Sequence, residues 1–134
     1  MSRLLPLYSL TGCFVSVGGG GMDTAVPDAA PTITYADASC YWDRGYDDYV
    51  WYFEADVDDW DGTVEVAGVY ADVYDQWTGE WVDAFELYPE AGITWYSAWV
   101  GQTTYLDCEY YNYTVEFTAE DVYGAQDIVD VELQ

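Results

Sequence analysis

Tyr111-Asn112-Tyr113-Thr114-Val115-Glu116-Phe117-Thr118-Ala119 is the stretch that decides the fold. Tyr111, Tyr113, Val115, Phe117 and Ala119 share one parity, and Asn112, Thr114, Glu116 and Thr118 share the other. A period of two with one apolar and one polar face is a half-buried β-strand. Downstream, a turn over 120–126 containing Gly124 leads to Asp127–Leu133, where Val129, Val131 and Leu133 alternate with Ile128, Asp130 and Glu132.

Upstream, the same period recurs. Over 48–58, Tyr49, Trp51, Phe53, Ala55 and Val57 face one way, and Asp48, Glu54, Asp56 and Asp58 the other. Asp61-Gly62 is a hairpin signal. The next strand, 64–74, changes phase between Val66 and Val69, which predicts a bulge at Gly68. Further strands are expected at 32–36 leading to Cys40, at 81–88 ended by Pro89, and at 93–100 stopped by Gly101. No segment sustains a helical period, and no internal repeat is found. About seven short strands with regular turn signals fit a single antiparallel β-sandwich, an all-β fold. The expected core includes Trp51, Phe53, Tyr113 and Phe117.

Composition agrees with a folded β domain. The 134-residue chain has 7 Trp, 15 Tyr and 4 Phe, so it is not a disordered acidic tail. Its 26 acidic residues face 2 basic ones, Arg3 and Arg44, for a formal charge of −24, and it has neither histidine nor lysine. Such a surface repels nucleic-acid phosphates, which excludes DNA and RNA as partners. It repels an anionic membrane surface as well. It leaves cations, neutral glycans and basic proteins as partners, and it suits a high-salt habitat or simple solubility.

Two resemblances extend this reading. The spaced residues Tyr113, Val115, Phe117, Ala119, Asp121 and Gly124, then Val129 and Val131, look like the closing strand pair of bacterial extracellular immunoglobulin-like domains. The resemblance implies an immunoglobulin-like sandwich, with Tyr113 as its corner tyrosine. At the other end, Arg3 precedes the apolar run 4–10, and Leu10-Thr11-Gly12-Cys13 resembles the lipobox of bacterial lipoprotein signal peptides. The run is too short to span a bilayer. This resemblance implies a signal peptide over 1–12, lipidation at Cys13 and an exported protein anchored at the cell envelope or surface. Membrane contact is then through the lipid alone. Residues 13–31, with Gly18 to Gly21, Pro27 and Pro31, read as the lipidated cysteine and a tether, and 32–134 as the domain. With Cys13 assigned to lipid, Cys40 and Cys108 remain as a disulfide pair, pinning the first strand or its end to the loop before the sixth strand.

The motifs that carry chemistry are sparse. Without histidine, serine and cysteine triads lack their usual base, and without lysine there is no phosphate-binding loop. No enzymatic activity is expected; a carboxylate-pair hydrolase is the weakest alternative. Asp56, Asp58, Asp59 and Asp61 around the turn form a candidate calcium site, the one cofactor considered, against the reading of a solvated hairpin. Trp42, Trp60 and Trp77, with Tyr41, Tyr96 and Tyr110, lie in loops or on the outward parity. They are candidate ligand-binding aromatics, against packing over the sheets. The expected function is a non-catalytic, structural or protein-binding sandwich. The alternative is a carbohydrate-binding module, which needs two or three coplanar exposed rings.

Overall fold

A computed structural model describes residues 30–59 and 66–133. The signal segment, Cys13 and the tether before residue 30, together with Trp60 and Asp61, lie outside the described residues. The described chain forms seven strands: β1 (Thr32–Asp43), β2 (Asp48–Asp58), β3 (Val66–Asp75), β4 (Trp81–Ala91), β5 (Thr94–Val100), β6 (Tyr113–Asp121) and β7 (Gln126–Glu132). Among the described residues one 3-10 turn, Gly101–Thr103, follows β5.

All pairings are antiparallel, in the order β1-β2-β5-β4-β3-β6-β7. β4 is the strand that joins the two halves. Its first part, Val69↔Leu87 through Tyr74↔Trp81, pairs with β3, while Tyr88↔Tyr96 through Ala91↔Thr94 pairs with β5. One half is therefore β1-β2-β5 with the end of β4, and the other is the start of β4 with β3-β6-β7. That is the neighbour order of an immunoglobulin-type sandwich. The two expected layers are nevertheless one nearly closed sheet, because β4 serves both. At the remaining seam, the Ile33 amide donates to the Asp127 carboxylate at 2.8 Å and ties β1 to β7.

The period-two faces meet inside. Phe53 of β2 stacks on Phe85 of β4 with centroids 4.7 Å apart, and Phe85 continues to Trp99 at 5.5 Å. Val57, Val69, Val73, Leu87, Val115 and Phe117 are among the most buried residues of this core. The four expected core aromatics, Trp51, Phe53, Tyr113 and Phe117, are all buried there. Truncating such a ring costs about 3–5 kcal/mol. The bulge expected at Gly68 is present, with the β3–β6 register shifting between Val66 and Gly68. The Tyr70 ring lies across Gly68 and occupies the space a Cβ would need.

Three boundaries differ from expectation. β1 continues through Cys40 to Asp43, because β2 offers a partner at every step down to Asp48. β4 runs through Pro89, since beyond Leu87 it is paired only to β5 and a missing N–H on the free edge breaks no ladder bond. Tyr111 is in the loop and exposed: β3 ends at Asp75, opposite Tyr113, and the pairing upstream stops after the bond from the Gln76 amide to the Asn112 carbonyl.

Tyr113 bonds back to the chain upstream, as the corner role requires. The Tyr113 hydroxyl, at the start of β6, accepts the Asp107 amide at 2.9 Å, six residues back. The disulfide joins Cys40 in β1 to Cys108 in the β5–β6 loop, with Cα atoms 5.9 Å apart across 68 residues of sequence. It is thus not the bridge between facing sheets usual for immunoglobulin domains.

Candidate functional site: an aromatic and acidic surface

Antiparallel alternation sends the β1–β2, β3–β4 and β5–β6 connections to one end of the sheet. The opposite end holds Pro31, where the chain enters the domain, and the β4–β5 and β6–β7 turns. The connections of the first end are bonded to one another. The Gln76 amide donates to the Asn112 carbonyl at 2.8 Å, the Tyr105 amide to Asp83 at 2.9 Å, and the Gln102 amide to Asp48 at 3.2 Å. The Tyr110 hydroxyl donates to the Asp75 carboxylate at 3.0 Å, and its ring packs edge-on against Tyr113. Tyr110, placed among the ligand candidates by its loop position, is therefore a packing residue.

Exposed aromatics gather at this end. Tyr41, Trp42 and Tyr46 come from the β1–β2 corner, Trp77 and Trp81 from the β3–β4 turn, and Tyr105 and Tyr111 from the β5–β6 loop. Trp77 is 78% exposed and Tyr105 82%, so neither is covering the core. Asp75 builds the turn that lifts Trp77, its carboxylate accepting the Trp77 and Thr78 amides, and Gly79 closes it at φ 76°. Trp42 leans edge-on against Tyr49 at 5.2 Å and stays 54% exposed. Trp42 and Trp77 are thus brought to one end of the fold. Tyr105 and Tyr111 carried no sequence signal, because exposure in a loop is set by what the loop packs on.

From this end a row of tyrosines runs down the outward face of β1, β2 and β5. Tyr41 and Tyr52 have ring centroids 6.1 Å apart, tilted 44°, and Tyr52 and Tyr96 are 6.3 Å apart, tilted 32°. Tyr88 of β4 is directly opposite Tyr96. Carboxylates interleave with the rings: Asp37 faces Glu54 across β1–β2, Asp43 faces Asp48, and Tyr35 faces Asp56. Their fields are felt by the phenols. Asp37, then burial, then Glu54 and Asp56, push the Tyr35 hydroxyl above its ordinary 10.0. Burial and Asp43 do the same at Tyr52, and burial, Tyr52, Glu90 and Glu54 at Tyr96. Arg44, in the β1–β2 turn, is the single basic residue among the described ones.

The acidic turn is divided by the sheet. Asp56 and Asp58 point outward, and Asp56 accepts the Thr94 hydroxyl at 2.8 Å. Asp59 is buried. Among the described residues no group of three histidines, cysteines, aspartates or glutamates is placed to hold a metal ion. No protein-family model, curated protein or solved structure matches the chain.

Proposed function

We propose that this is a non-catalytic polypeptide-binding domain of an exported, lipid-anchored surface protein. The observation that carries the reading is the gathering of exposed Trp and Tyr at the end of the fold opposite Pro31. An anchor before residue 30 would leave that end pointing away from the membrane. Aromatic side chains are the commonest anchors of protein interfaces, because they bury much area at little entropic cost. Along the adjoining Tyr41–Tyr52–Tyr96 row the rings are tilted 44° and 32° to one another, which favours a polypeptide over a stacked sugar. The lipobox resemblance of residues 10–13 and a disulfide that suits an oxidising compartment support export.

Two arms test this. Mass spectrometry of the mature N-terminus should find acylated Cys13; residues 1–12 still attached to an unmodified cysteine in the exported protein would end the anchoring claim. Arrays of glycans and of polypeptides should show binding to polypeptides, weakened by Trp42→Ala with Trp77→Ala. Retention on glycans alone would replace the reading with the carbohydrate one.

A further inference from the structure

We propose that the outward face of β1, β2 and β5 docks an extended polypeptide segment carrying Lys or Arg at alternate positions, and that the Tyr41–Tyr52–Tyr96 row seats the cationic heads. The inference rests on the reading of the domain as a polypeptide-binding module and specifies the partner.

The first support is charge. Folding places Asp37 opposite Glu54 and Asp43 opposite Asp48 on this face. Like charges directly across an antiparallel pair are destabilising. Asp43 and Asp48 accept backbone amides, which offsets part of that repulsion; among the described residues only Arg44 is basic, so a cationic partner would relieve the rest. The second support is ring chemistry. An ammonium or guanidinium group is attracted to the face of a phenol ring, and a neighbouring carboxylate adds to the attraction. Two rings of the row have such a neighbour: Asp43 accepts the Tyr52 hydroxyl at 3.5 Å, and Glu54 is opposite Tyr96. The third support is spacing. Consecutive rings are 6.1 and 6.3 Å apart. In an extended chain, residues on one side repeat every two positions, about 6.5 Å. One cationic side chain in every two would therefore meet one ring each. A second copy of this chain, equally acidic, would be repelled.

The test compares two synthetic peptides of identical composition with the full-length protein by calorimetry. One alternates Lys and Ser; the other carries the same lysines in one block. The alternating peptide should bind several-fold more tightly, and Tyr41→Ser with Tyr96→Ser should weaken it by about tenfold. The same variant should remove the preference between the peptides, and Tyr123→Ser, at the far end of the fold, should change nothing. Circular dichroism confirms that each variant is folded; the peptide comparison on the unaltered protein needs no variant. Equal affinity for both peptides would overturn the proposal and leave only diffuse charge attraction. So would an intact preference in the double variant. If neither peptide binds while the Trp42 and Trp77 variants still weaken polypeptide binding on the arrays, this face is wrong and the broader function stands.

Discussion

Replacing Tyr113 by Phe isolates the corner bond. The ring stays, and with it the edge-on contacts to Trp51 at 6.1 Å and to Tyr110 at 5.0 Å, so no cavity opens. What is lost is the acceptor for the Asp107 amide, a 2.9 Å bond in a half-buried setting. A donor stripped of its partner in such a place costs about 1–2 kcal/mol. For a domain of this size that lowers the melting temperature by roughly 5–10 °C. Guanidinium unfolding should show a lower midpoint with an unchanged slope, because the core and its exposure on unfolding are the same. The loop is also held by Cys108, one residue from Asp107. Removing the disulfide with Cys40→Ala and Cys108→Ala should cost about 4 kcal/mol in the chain-entropy model. Two restraints on one loop should be coupled, so the combined loss should depart from the sum by more than about 0.5 kcal/mol. A Tyr113→Phe protein within about 0.3 kcal/mol of the parent would refute the structural role of the corner.

Alkaline pH should destabilise the fold. Burial, the largest cause, raises the hydroxyls of Tyr52, Tyr70, Tyr96, Tyr110 and Tyr113 above 10.0, and Asp37 leads at Tyr35. A raised folded value favours the neutral phenol, so this stability is full below pH 10 and is lost as pH rises through the folded values. Phenolate absorbance should titrate at higher pH in the native protein than in urea; coincident curves would sink the argument. Stability should also rise with sodium chloride from very low levels. Asp72, Glu116 and Asp130 are directly opposite one another across β3, β6 and β7, and added salt screens such repulsion. Glu116→Gln should therefore flatten the salt dependence, and a midpoint indifferent to salt in the parent protein would contradict the repulsion account.

Strand positions were legible from local pattern. Alternation in 48–58 and 113–121 is a local property of the backbone, since successive side chains of a strand point to opposite faces. Gly68 marked its bulge for an equally local reason: the apolar parity changes there. The corner role of Tyr113 was implied by the resemblance of residues 113–131 to the closing strands of immunoglobulin-like domains, and the disulfide by the count of cysteines once Cys13 is set aside. How far each strand runs depends on its neighbours in the fold, because pairing sets strand ends. Cys40 lies inside β1 since β2 accompanies it, and Tyr111 falls outside β6 since β3 has already ended. The same holds for the candidate surface. Tyr41, Tyr52 and Tyr96 form one row because β5 pairs beside β2 across a long stretch of chain, and no local period encodes that neighbour. The acidic turn shows the converse. Asp56, Asp58 and Asp59 are close in sequence, yet Asp56 and Asp58 lie on the outward face while Asp59, just past the strand, is buried, so proximity along the chain does not gather their carboxylates.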